Sequence, residues 1–181
     1  MGGGASTLVD DLVGRGYREV TVLDLSKEAL DVARARLGTR AAGVSWVAAD
    51  ATTVELPEAH YDVWHDRAVF HFLVDPDARR RYVASVTRSV RPGGHVIVAT
   101  FGPERPERCS GLDVVRYDAE ALHGEFGARF LKIDSVHAAL ADYAPVTWPP
   151  VRTLRTWHDA RDVHETVRLI TPPSCSSAQT A

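Results

Sequence analysis

Cysteine is scarce: Cys109 and Cys175 are the only two in 181 residues. They are too few for a disulfide framework, and neither has a second ligand at metal-binding spacing, so a reduced, cytoplasmic setting is expected. Nor is there an excess of positive charge. Lys and Arg total 21 against 24 Asp and Glu, and the formal net charge of -3 leaves no broad basic field for a phosphate backbone. The short run Arg79-Arg80-Arg81 reads as a solvated helix face, and nucleic acid is not an expected partner. No apolar run approaches membrane-spanning length, so no membrane partner is expected either. Asp10 and Asp11 arrive early, against a secretory signal. The eight histidines show no ligand pattern, and no metal is expected.

What is present is a chain 45% apolar and 25% charged, long enough for one α/β domain with a sizeable core. Leu8, Val9, Leu12 and Val13 recur at helical spacing directly after a run of glycines. Val20 to Leu23 is a β-branched strand ending at Asp24, and Ser26 caps a helix carrying Leu30, Ala33 and Leu37, which Gly38 stops. Val44 to Val47 and Tyr61 to Trp64 read as further strands. Asp75-Pro76 opens a helix with Tyr82, Val83, Val86 and Val90 as its buried stripe, and Arg91-Pro92-Gly93-Gly94 closes it with a tight turn. His95 to Phe101 is a nearly continuous apolar strand suited to the sheet centre. Asp118 caps a shorter helix, and Phe130 to Ile133 follows as a candidate strand. Such alternation implies a doubly wound, mostly parallel sheet over residues 1–135. Beyond Ser135 the periodicity fades among Pro145, Pro149, Pro150, Pro172 and Pro173, and residues 136–181 read as an irregular segment with a disordered end.

Gly2-Gly3-Gly4 before a helix lets a ligand approach the backbone and the helix N-terminal N–H groups, but equally describes a flexible leader. Asp24 stands twenty positions after Gly4 at a strand end, where it can accept from ribose hydroxyls or serve as a turn residue before Ser26. Asp50 ends the next strand and can accept from an adenine amino group or simply form a solvated turn. Together the three converge on the crevice where doubly wound sheets bind ligands.

At these positions, and in Trp64-His65-Asp66-Arg67-Ala68-Val69-Phe70-His71-Phe72, Arg91 to His95, Glu107 to Leu112 and Val115 to Asp118, the chain resembles class I S-adenosylmethionine (SAM) dependent methyltransferases of a largely uncharacterised bacterial subfamily. The resemblance spans roughly Gly2 to Ser135. It implies a Rossmann-like fold with SAM as cofactor, held by Gly2, Gly3, Gly4, Asp24, Leu25, Asp50, Ala51 and His65. It further implies an unidentified small-molecule or protein acceptor oriented by His65, Asp66 and His71. Two departures stand out. Family members begin with a hydrophobic strand just before the glycines, where this sequence has Met1, so the fold should lack its first strand; a start codon set too far downstream is the expected reason. The family's closing antiparallel strand pair is also not evident, for which a frame shift or an added extension would account.

Because the sulfonium already activates the methyl group, such an enzyme mainly aligns a nucleophile and excludes water. His71 also fits a core histidine, and Asp66 a helix cap. An NAD-dependent oxidoreductase would share the glycine loop and ribose acid, although it would not explain Asp50 or the Arg91 to Gly94 segment. A noncatalytic remnant is the third possibility.

Overall fold

A computed structural model describes residues 1–4, 6–67, 69–137 and 165–170. Its first half is a small parallel unit. Helix α1 (Leu8–Gly14) precedes strand β1 (Val20–Asp24), helix α2 (Lys27–Leu37) and strand β2 (Val44–Ala48). The Ser26 hydroxyl accepts from Ala29 N–H at 3.1 Å, satisfying a donor that the first turn of α2 would otherwise leave open. β1 and β2 run parallel from Val20 opposite Val44 to Asp24 opposite Ala48. Val22 and Val44 pack with Val9 of α1 and with Leu30, Ala33 and Leu37 of α2.

The second half is built on β3 (Tyr61–Arg67), α3 (Pro76–Ser89), β4 (Val90–Thr100), a short hairpin of β5 (Arg108–Cys109) and β6 (Leu112–Asp113), α4 (Ala119–Phe126), β7 (Leu131–His137) and β8 (Glu165–Ile170). The sheet order is β3-β4-β8-β7, with β3 and β4 parallel and β8 antiparallel to both neighbours. Asp75 caps α3 through Asp77 and Ala78 N–H, and Asp118 caps α4 through Ala121 N–H. Trp64, Val96, Val98 and Leu169 form the larger core with Tyr82 and Val86 of α3 and Leu122 and Phe126 of α4. Leu23 joins this core while its neighbour Val22 faces the other one, because successive strand residues point to opposite faces. Helices therefore cover both faces, as a doubly wound sheet requires.

Among the described residues β1 pairs with β2 and β3 with β4, and no strand hydrogen-bonds β1 to β3. Met1 to Gly3 bridge the two instead: Gly3 N–H donates to Leu23 O at 3.3 Å, and the Met1 amino group to His65 O at 2.5 Å.

Three expectations are corrected. β3 continues past Trp64 to Arg67, so part of the run read as following the strand lies inside it. Arg91 to Gly94 is not a turn separating helix from strand but a bulge within β4, since Tyr61 pairs with Val90 before it and Val63 with His95 after it. A Cβ on Gly94 would lie 2.9 Å from Arg91 O and 3.1 Å from Asp62 O, so the bulge presses on β3 where only glycine fits. Finally, the segment read as irregular contains β8, and β7 crosses its expected boundary. An antiparallel pair, β7 with β8, is thus present where the sequence reading saw none. Its prolines fall outside both strands. The rest of 138–164 and 171–181 lies outside the described residues.

Leu169, next to the end of β8, is fully buried between β4 and β7. Leu169→Ala should therefore cost about 2–5 kcal/mol in urea unfolding. A loss below about 1 kcal/mol, the size of a surface substitution, would remove β8 from the sheet.

Candidate cofactor site

The glycines are not a free leader. A Cβ on Gly2 would meet Val69 Cγ2 at 2.4 Å, and one on Gly3 would meet Val22 Cγ1 at 2.2 Å. The backbone thus passes between a side chain of β1 and one following β3, at a distance no other residue allows. Ser6 N–H then donates to Gly3 O at 2.8 Å, turning the chain towards α1.

Asp24 ties this loop to the strand end. Its Oδ2 accepts from Gly4 N–H at 2.8 Å and its Oδ1 from Ser26 N–H at 2.9 Å. Each carboxylate oxygen keeps a second lone pair, so the acid can organise the loop and still accept hydroxyls from a ligand. Beside it Leu25 is 78% exposed, an apolar side chain left open at the carboxyl edge of β1. Ala49 N–H donates to Asp24 O at 3.0 Å, which brings the end of β2 to the same edge. There Asp50 is exposed, its Oδ1 accepting from Thr52 N–H and hydroxyl at 2.7 and 2.8 Å. Ala51 turns its methyl into the core, so its share in a ligand site falls to its main chain. Gly2, Gly3, Gly4, Asp24, Leu25 and Asp50 therefore meet at one edge, with a glycine floor, two acids and an open apolar side chain. That set fits a nucleoside carrying an amino-acid arm.

The candidate catalytic side chains are placed differently. Asp66 is fully buried; its Oδ1 accepts from Val69 N–H at 2.9 Å and its Oδ2 from the Tyr82 hydroxyl. Burial pushes its carboxyl above the usual range, opposed by the chain's amino group, the Tyr82 hydroxyl and the Val69 and Phe70 N–H groups. His71 is fully buried in a 3-10 turn (Phe70–Phe72), its ring 4.4 Å from Phe72 and 4.7 Å from Phe101. Both side chains occupy the places that a cap and a core histidine would take. His65 contributes its carbonyl to Met1, and burial, with like charge from the amino group and Arg67, lowers its imidazole to about 3. It is neutral at physiological pH and a poor base.

Sequence reasoning singled out neither Val69 nor Tyr82 as site residues. Val69 forms the wall behind Gly2, and Tyr82 holds Asp66. Nearby, Val115 N–H donates to His71 O at 2.8 Å, seating the loop after β4 against this end of the sheet. A cleft there is lined by Pro103, Glu107, Asp113, Val114, Val115 and Arg116. Arg116 staples it by donating to Pro103 O, Arg105 O and Glu107 Oε1, each at 2.9 Å, while Arg108 pairs with Asp113 rather than facing outward alone.

A methyltransferase domain family model matches residues 1–98, more than half of the chain. The chain belongs to the class I SAM-dependent methyltransferases. An uncharacterised methyltransferase of Mycobacterium tuberculosis is 30% identical over 156 residues, covering 86% of this chain and 68% of the relative. Among solved structures, the N-methyltransferase NodS of Bradyrhizobium japonicum, in complex with S-adenosylhomocysteine, aligns with a TM-score of 0.67 at 18% identity, over 93% of this chain and 74% of that one. A Burkholderia thailandensis 1,6-didemethyltoxoflavin N1-methyltransferase aligns with a TM-score of 0.66 at 20% identity, over 94% and 68%. These two likenesses concern the fold.

In this methyltransferase His65 makes stability depend on pH. An imidazole that resists protonation when folded stabilises fully above its unfolded value of 6.5 and loses that contribution as pH falls from there towards 3. His65→Gln should flatten the decline of the urea midpoint over that window. An equally steep decline in the variant would show that His65 does not titrate on unfolding.

Proposed function

We propose that the chain binds SAM across the carboxyl ends of β1 and β2 and transfers its methyl group to an acceptor seated against the loop after β4. The observation that carries this is the double use of Asp24, whose carboxylate holds Gly4 and Ser26 through one lone pair on each oxygen and so keeps a second on each for a ligand. In this reading Asp24 accepts from the ribose hydroxyls, Leu25 covers a face of the adenine, Asp50 accepts from the adenine amino group, and Gly2 to Gly4 take the methionine arm against backbone. SAM supplies a methyl group already activated by its sulfonium. The protein's work is then alignment and exclusion of water, which suits a site whose candidate acid and base groups are buried or weakly basic.

Asp66 and His71 enter this proposal as supports for the pocket wall, and His65 through its main chain. The cleft beside the β5–β6 hairpin is where we place the acceptor, because its seam at Val115 and His71 borders the same end of the sheet. The low cysteine content fits a cytoplasmic enzyme.

Calorimetric titration of the full chain tests the reading. SAM or S-adenosylhomocysteine should release binding heat, and NAD should not. Asp24→Ala should weaken SAM about tenfold or more, the scale of a lost hydrogen bond to a charged group. SAM silence with intact folding, or undiminished affinity in the variant, would refute the assignment.

A further inference from the structure

Resting on the cofactor reading above, we propose that Tyr82 of α3 is a positioning residue for cofactor binding. Through Asp66 it fixes Val69, the side chain against which Gly2 is seated. Three directed bonds make up the connection. The Trp64 indole N–H donates to the Tyr82 oxygen at 2.9 Å, the Tyr82 hydroxyl donates to Asp66 Oδ2, and Asp66 Oδ1 accepts from Val69 N–H at 2.9 Å. The last contact is steric, the Gly2 backbone lying where a Cβ would sit 2.4 Å from Val69 Cγ2.

The directions are forced. An indole offers only a donor, so the Tyr82 oxygen must accept from it, and its single proton goes to the carboxyl. Burial, with the nearby Asp66 charge, raises the Tyr82 hydroxyl well above its ordinary value, so that proton stays in place. The Tyr82 ring cannot swing to release it: Phe70 and Trp64 stand 5.2 and 5.9 Å away, and the residue is fully buried. Position is thereby handed from the packed α3 core to Val69 in the turn after β3, beside the anchoring that Phe70 takes from the Tyr82, Tyr117 and Phe126 rings.

The hydroxyl's role separates from that of the ring. Phenylalanine at 82 would keep the apolar packing yet leave Asp66 Oδ2 and Trp64 Nε1 without their partner. A tyrosine serving only as core filling would tolerate the change in proportion to lost stability. One serving as a positioner would lose cofactor affinity beyond that.

The test compares Tyr82→Phe with Val86→Ala, a core truncation on the same helix that touches none of these bonds. Both are made in the full chain and read by SAM calorimetry and by amide hydrogen exchange without cofactor. Tyr82→Phe should weaken SAM about tenfold and speed exchange at Val69 while Val96 and Val98 stay protected. Val86→Ala should lower the unfolding midpoint and leave SAM affinity unchanged. The proposal is overturned by Tyr82→Phe with unaltered affinity and Val69 exchange, or by both variants losing affinity in step with stability. Should the unaltered chain bind no SAM, the cofactor reading falls, and Val69 exchange still decides the connection: faster exchange in Tyr82→Phe upholds it, equal exchange rejects it.

Discussion

The close passage of Gly2 and Gly3 between Val22 and Val69 is the constraint on which the rest of the site depends. There main-chain hydrogen bonds bridge the β1–β2 unit and the β3 side of the larger sheet, Gly3 N–H to Leu23 O and the Met1 amino group to His65 O. Any side chain there would overlap a neighbouring methyl group. From that passage follow the position of Gly4, its bond to Asp24, and the open carboxyl edge where Leu25 and Asp50 stand. As Gly94 does where the β4 bulge meets β3, these glycines set how closely two parts of the structure approach.

Electrostatics act in the same region with opposite signs on its two sides. At the open edge Asp24 and Asp50 remain solvated or half-buried and ready to accept from a ligand. Inside, Asp66 is withdrawn from water and tolerated because the Tyr82 hydroxyl and the Val69 and Phe70 N–H groups meet it, while His65 is driven neutral. Buried ionisable groups require such partners, and an unpaired carboxylate in this position would cost several kcal/mol. The interior polar groups thus brace the wall, and the exposed ones face the crevice. That division matches a reaction in which the cofactor brings the activated group and the protein brings geometry.

Much of this was legible in the sequence wherever the signal is local. Ser26, Asp75 and Asp118 cap helices with their own side chains, so residue type and position suffice. Asp24 was legible as a strand-end acid but not as the tie to Gly4, which depends on the loop folding back. β8 escaped notice because Thr166 to Ile170 is a short run, split by Arg168, whose strand character comes from β4 and β7 on either side. The Arg91 to Gly94 bulge reads as a turn because proline and glycine normally end an element; only the pairing of Val90 with Tyr61 shows otherwise. Tyr82 sits in a helical apolar stripe, where a hydroxyl looks incidental until the partner across the core is known. His71 could be read two ways, and its burial beside Phe101, a contact distant in sequence, is what the sequence could not show.

The central claim, that the Gly2–Gly4 loop and the ends of β1 and β2 form the cofactor pocket, is tested most directly by amide chemical-shift mapping during titration with S-adenosylhomocysteine. The account predicts saturable shifts at Gly3, Gly4, Leu25 and Ala51, with little change along β7. Saturable shifts confined to the loop after β4, with the glycines and Leu25 still, would contradict it.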